Sequence, residues 1–218
     1  MSDVVVGYDG RARCAWAGGG DTPLVRYHDE VWGKRTFDES ELFEALTLGV
    51  FQAGLSWEIV FRKRDAFRKA FRGFDIAKVA KMTARDISRL VEDASIIRNH
   101  AKIEATVNNA RAMLSASPSL VELAKTYEID RKHPPRSLAE IPTSTPEAES
   151  FAKQLKSQGY HFVGPRACMP SCRTSARSTT TSTVASAQRT ASRQGHRDTE
   201  TTASLICLHR FPEFGWRG

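Results

Sequence analysis

From Phe37 to Gly159 apolar residues recur at three- and four-residue spacing, and polar residues able to cap a helix introduce the runs. Asp38 and Glu41 form a capping-box pattern ahead of Leu42, Phe43, Leu46 and Val50. Ser56 opens a run carrying Ile59, Val60, Ala66, Phe67 and Phe71, and Thr83 with Asp86 precedes Ile87, Leu90 and Val91. From about Asn99 to Ser115, Ile103, Val107, Ala110 and Met113 share one face. Thr145 followed by Pro146 starts a helix bearing Phe151 and Leu155, which Gly159 closes. The pattern predicts an all-α domain of short helices joined by compact loops. Residues 1–12 have no helical period and read as a flexible leader. Between Ser171 and Ser204 about half of the residues are Ser or Thr and the apolar period disappears, which predicts a disordered tail without a core of its own.

A chain of 218 residues is long enough for one substantial domain with an appendage. Its 32 Lys and Arg against 25 Asp and Glu give a net charge of +7, which suits an anionic partner such as nucleic acid. No basic-then-apolar leader and no run of membrane-spanning length is present, and the four cysteines (Cys14, Cys168, Cys172 and Cys207) are dispersed. A reducing cytoplasm and no membrane partner are the natural expectation, and a monomer is expected.

Three groups of residues carry candidate chemistry. Around Asp93–His100 two helices meet, with Ile96 and Ile97 placed to anchor a tight connection and Arg98, Asn99, His100 and Lys102 expected to face outward. Such a helix-hairpin-helix offers backbone N–H groups and the positive end of its second helix to a phosphate, with Arg98 and Lys102 adding charge. The bland alternative is a solvated corner, and Ser95 and Ala101 stand where glycine would ease close approach. Trp16, Tyr27, Trp32 and Trp57 lie in polar, loop-like surroundings near predicted helix starts. Together they could form a slot in which a flipped-out base stacks, or one or two could plug the core. Cys14 and His28 suit zinc, as half of a tetrahedral set.

In order and spacing, Arg13-Cys-Ala-Trp16, Tyr27-His-Asp-Glu-Val-Trp-Gly33, Phe51-Gln-Ala-Gly-Leu-Ser-Trp57, Ile96-Ile-Arg98 with Lys102-Ile103, Glu140-Ile-Pro-Thr-Ser-Thr145 and Phe162-Val-Gly-Pro165 resemble the type I DNA-3-methyladenine glycosylases. The resemblance spans residues 13 to about 165. It implies an all-α helix-hairpin-helix enzyme of base-excision repair that flips 3-methyladenine out of duplex DNA and hydrolyses its N-glycosidic bond with water. It further implies that Tyr27 and Trp57 stack on the base as the catalytic pair, with Trp16, Trp32 and Gln52 lining the pocket. Arg98, Asn99 and Lys102 would hold the DNA backbone, and Cys14 and His28 would belong to a structural zinc site.

The chain departs from that pattern twice. Gly49 stands where the family carries a glutamate that recognises the adenine edge, leaving Gln52 or Glu58 to take part of that role, or a different lesion to be read. The closing family segment, which supplies a second His and Cys to the zinc, is absent. Read from the third base of each codon, residues 168–185 can nevertheless spell Tyr-Ala-Phe-Met-Gln, then Val-Asn-Asp-His and a Cys. Residues 166–218 are therefore read as an out-of-frame tail, with Cys207 and His209 as weak stand-ins for the lost ligands. The rival reading is a non-catalytic or defective DNA-binding product of a frameshifted gene.

Overall fold

The computed structural model describes residues 4–32, 34, 36–127, 144–165 and 167–168. They fall into two compact units, residues 4–34 and residues 36–168, the latter without its undescribed stretches. The expected tail lies outside the described residues except for its first few positions.

In the first unit three successive valines, stiff at χ1 and suited to a strand, form β1 (Val4–Val6). It pairs antiparallel with β2 (Ala12–Cys14), Val4 opposite Cys14 and Val6 opposite Ala12. For residues 4–12 the expectation of a flexible leader is corrected: the pairing, closed by Gly7 N–H donating to Arg11 O at 2.9 Å and by Gly10 at φ 74°, orders them, while residues 1–3 lie outside the described residues. A single 3-10 turn (Ala15–Ala17) leads to α1 (Pro23–Glu30), where the Thr22 hydroxyl accepts from Val25 N–H and Pro23 takes the first helical position.

Arg13 ties this unit together. Its side chain is only 4% exposed, and its guanidinium donates to both Asp29 oxygens at 3.0 and 3.1 Å through Nε and to Asp9 Oδ1 at 2.8 Å through Nη1. A planar fork between two carboxylates suits arginine and not lysine. The hydrogen bond from Arg13 holds the Asp9 and Asp29 carboxyls below the usual carboxylate range.

The second unit is helical throughout: α2 (Glu39–Gln52), α3 (Trp57–Arg62), α4 (Arg64–Ala70), α5 (Ile76–Ala80), α6 (Ala84–Glu92), α7 (His100–Ser115), α8 (Leu120–Thr126) and α9 (Pro146–Ser157). The caps read from sequence form, except that Asp38 and Glu41 make only half of the expected capping box, the Glu41 carboxylate accepting from the Thr36 hydroxyl instead. Asp38 accepts from Glu41 N–H, Thr83 and Asp86 make a reciprocal capping box, Thr145 accepts from Ala148 N–H, and Gly159 leaves α9 at φ 86°. Ser119 and Glu122 make a second capping box at α8.

The run after Ser56 is two helices and not one. The chain breaks at Lys63, whose ammonium donates to Ala94 O at 3.0 Å and Ser95 O at 2.8 Å. α2 is buried almost all round, as a central helix must be. Leu42 and Leu46 pack into one apolar cluster with Leu120, Leu123, Phe151 and Leu155. Phe43, Leu48 and Phe51 pack into another with Phe67, Phe71, Ile103 and Val107. A buried Glu44 on α2 is clamped by Arg64 Nε at 2.5 Å and Arg68 Nη2 at 2.9 Å, fixing α4 against it.

Candidate functional site

In the first unit, the turn Ala15–Ala17 and helix α1 bring Trp16, His28 and Trp32 together. Trp16 meets Trp32 edge-on at 5.4 Å between ring centroids and His28 edge-on at the same distance. His28 lies parallel to Trp32 at 5.5 Å. Edge-on and offset rings are the arrangements aromatic quadrupoles favour. Trp16 Nε1 is buried without a hydrogen-bond partner among the described residues. Tyr27, adjacent to His28 on α1, is half-buried, and its carbonyl accepts from Val31 and Trp32 N–H groups.

Cys14 and His28 also converge. Cys14 is buried, and its backbone N–H approaches His28 Nε2 at 3.5 Å. His28 Nδ1 bonds Asp29 Oδ1 at 2.9 Å, so the carboxylate fixed by Arg13 orients the imidazole. Burial lowers the imidazole's pKa despite that carboxylate. The ring is thus held at Nδ1 by a carboxylate, while its Nε2 meets the Cys14 backbone N–H. Among the described residues no group of three or more His, Cys, Asp or Glu side chains is placed to hold a metal ion.

In the second unit the site elements converge on the C-terminal end of α2. Gly54, at φ 85°, turns the chain so that Ser56 caps α3, and Trp57 becomes the first residue of that helix. Trp57 is half-buried against the Phe43–Phe51 cluster, 6.2 Å from Phe61. Gln52, the last residue of α2, is 7% exposed, and its Nε2 is buried without a partner among the described residues. A buried amide donor left unmade costs about 1–3 kcal/mol, a cost that a ligand acceptor would remove.

The connection between α6 and α7 is a tight corner. Asp93 Oδ1 accepts from Ser95 N–H at 2.8 Å, Ile96 is buried at 2% exposure, and Ile97 is half-buried against the same cluster. Asn99 caps α7 by accepting from Lys102 N–H at 3.1 Å. Arg98, Asn99 and His100 are exposed, as the sequence suggested. Lys102 is the correction. It is 9% exposed and turned inward, with Nζ donating to Phe51 O at 3.1 Å and Ala53 O at 2.8 Å. The last carbonyls of a helix need donors and carry partial negative charge, so the end of α2 draws the ammonium away from solvent. Desolvation lowers its pKa.

Two features escaped sequence reasoning. Lys63 braces the corner from behind, through a long-range contact without a local signal. Gly49 is buried against the main chain of Ala167: a Cβ there would stand 2.6 Å from Ala167 O.

A model of the methyladenine glycosylase family matches residues 16–173. The chain belongs to that family. It is 40% identical over 161 residues to DNA-3-methyladenine glycosylase 1 of Escherichia coli, covering 72% of this chain and 86% of the relative. The Haemophilus influenzae DNA-3-methyladenine glycosylase is 38% identical over the same shares. Among solved structures, a 3-methyladenine DNA glycosylase I superimposes with a TM-score of 0.68 at 36% identity, covering 76% of this methyladenine glycosylase family member and 94% of the neighbour. The enzyme from Staphylococcus aureus, in a structure describing 3-methyladenine recognition, gives 0.65 at 31%, covering 74% and 93%.

Proposed function

We propose that this protein is a DNA-3-methyladenine glycosylase that hydrolyses the N-glycosidic bond of alkylated adenine in DNA after base flipping. Membership of the methyladenine glycosylase family carries the reading. Alkylation at N3 makes adenine cationic and a good leaving group, so the protein's share of the work is binding, orientation and electrostatic stabilisation. The C1′–N9 bond breaks, the base departs with its electron pair, and water supplies hydroxide to the sugar and a proton to the bulk.

Each residue's part follows from its chemistry. Tyr27 and Trp57 stack on the flipped base, and Trp16 and Trp32 line its surroundings; each well-placed ring contributes about 0.5–2 kcal/mol toward a cationic purine. Gln52 offers an amide, the group that pairs with adenine by accepting from N6–H and donating to N7. The α6–α7 corner acts as a helix-hairpin-helix, its Arg98 and Asn99 and the start of α7 holding backbone phosphates of double-stranded DNA. Lys102 stands behind that surface as its brace and not as a phosphate contact.

Cys14 and His28 would hold a structural zinc ion whose effect is to tie the N-terminal unit down. Two donors are half of a closed set, so the ion's retention depends on further ligands. No helix among the described residues is long and apolar enough to cross a membrane. From the DNA-repair reading, and not from that absence, we place the protein in the cytoplasm, as a monomer.

Release of 3-methyladenine from methylated duplex DNA, measured for this chain beside a frame-restored version with the zinc content of each, tests the reading. Release by both supports it. The occupation of the Gly49 surface by Ala167 favours one rival, a defective DNA-binding product, and release by the restored version alone would establish that rival.

A further inference from the structure

Helix α2 ends at Gln52, and the carbonyls of its last turn need donors from elsewhere in the chain. Lys102 supplies them from α7. Its Nζ donates to Phe51 O at 3.1 Å and to Ala53 O at 2.8 Å, the carbonyls on either side of Gln52. The carbonyl of Gln52 itself accepts from Leu55 N–H at 2.8 Å. Three consecutive carbonyls are thus held, and the backbone from which the Gln52 side chain departs is fixed on both sides.

The amide at the end of that side chain has no such hold. Gln52 is 7% exposed, and its Nε2 has no hydrogen-bond partner among the described residues. A buried amide is ordinarily aimed by its own hydrogen bonds. Here the aim of the Nε2 donor is left to packing and to the backbone beneath it. Immediately after Gln52 the helix stops: Ala53 leaves it at ψ 113° and Gly54 takes φ 85°, both exposed. A helix end beside an exposed glycine opens readily unless its carbonyls are tied.

Lys102 is gripped at its other end as well. Its backbone N–H donates to Asn99 Oδ1 at 3.1 Å, and its carbonyl accepts from the Thr106 hydroxyl at 2.9 Å. Asn99 caps α7 and follows Arg98 in the α6–α7 corner. One side chain therefore joins that corner to the residues flanking Gln52. The placement is costly, since an ammonium on a residue only 9% exposed gives up hydration that a surface lysine keeps. Water or a neutral side chain could meet the same carbonyls without that cost.

We propose that Lys102 is a positioning residue for base recognition: by clamping Phe51 O and Ala53 O it aims the Gln52 amide at the adenine edge. The inference rests on the glycosylase reading, in which Gln52 pairs with N6 and N7 of the base, and adds to it what holds that amide in place. Lys102 touches neither base nor phosphate. It acts through Gln52, so its contribution to base release vanishes once the amide is gone. A clamp that served folding alone would be needed equally with and without the amide.

The test is a double-mutant cycle on single-turnover release of 3-methyladenine from methylated duplex DNA. Wild type, Lys102→Met, Gln52→Leu and the double variant are compared, each rate expressed per folded molecule from its melting curve. Lys102→Met should slow release about fivefold or more in the wild-type chain and less than about twofold in the Gln52→Leu chain. Should Lys102→Met not fold, Lys102→Gln, a shorter neutral residue whose amide can keep one of the two carbonyls, carries the same cycle with the same expectation. Equal losses in both backgrounds, or no loss in either, would overturn the inference and leave the glycosylase reading standing. Full release by Gln52→Leu would overturn it together with the role given to Gln52. A wild-type chain that releases no 3-methyladenine would overturn the glycosylase reading and the inference with it.

Discussion

Gly49 and Ala167 are in direct contact through their backbones, and a methyl group on Gly49 would lie 2.6 Å from the Ala167 carbonyl oxygen and 3.2 Å from its Cα. In an ordinary helix interior, Gly→Ala stabilises by about 0.5–1 kcal/mol. Here the sign reverses: Gly49→Ala should destabilise by about 1–3 kcal/mol because the obstacle is main chain. Urea unfolding measures it, and a stabilised variant would mean that the Ala167 main chain yields. Gly49→Glu, which the family resemblance suggests as a repair, should fail by itself to raise 3-methyladenine release, since the Ala167 main chain occupies the carboxylate's path.

Gln52 couples stability to binding in the opposite direction. Its buried Nε2 has no protein partner among the described residues, so Gln52→Leu removes an unmade hydrogen bond and should leave the free protein equally stable or up to about 1 kcal/mol more stable. The same change deletes the only edge-reading amide proposed for the base and should lower 3-methyladenine release by about tenfold or more. Thermal melting and base release on one preparation read both. A variant that loses stability while keeping full release would make Gln52 a packing residue.

Features of the site that are local in sequence were legible in it, and features set by distant partners were not. The Thr83–Asp86 and Thr145 caps are decided within four residues, so they read directly. Ile59, Val60, Ala66, Phe67 and Phe71 follow one helical period, whereas the break at Lys63 coincides with contacts to Ala94 and Ser95, 31 and 32 positions away. Lys102 reads like any lysine near a helix start, and only the placement of α2's last carbonyls turns it inward. The role of Asp29 depends on Arg13, sixteen positions away on a ribbon that periodicity does not reveal. Trp16 and Trp32 were identifiable because polar surroundings make large aromatics conspicuous, and the fold brings them together with His28.

Glu44 supports the end of α2 from within. The carboxylate is 6% exposed and holds two guanidiniums, with Arg64 mostly buried and Arg68 partly exposed. Glu44→Leu strands Arg64 without its carboxylate and should cost about 2–4 kcal/mol, less than a fully buried pair because Arg68 reaches solvent. Restoring a neutral surrounding with Arg64→Met in the same chain should recover part of the loss. Denaturant unfolding of the two single variants and the double variant measures the coupling, and strict additivity would show that the pair contributes nothing as a pair.

Lys102 offers a test through pH and one through salt. Its pKa is lowered in the fold by desolvation, so between the folded value and the ordinary value of 10.5 the unfolded chain binds more protons. Unfolding free energy must then rise with pH through that window. The stability of wild type relative to Lys102→Met should therefore increase as pH is raised toward 10.5, and a decrease would mean that the ammonium is stabilised by an acidic partner. In DNA binding the inward ammonium neutralises no phosphate. Lys102→Met should leave the slope of log K against log salt unchanged, whereas Arg98→Ala should reduce it by about one. Equal reductions for the two variants would return Lys102 to the phosphate-contacting surface on which the sequence first placed it.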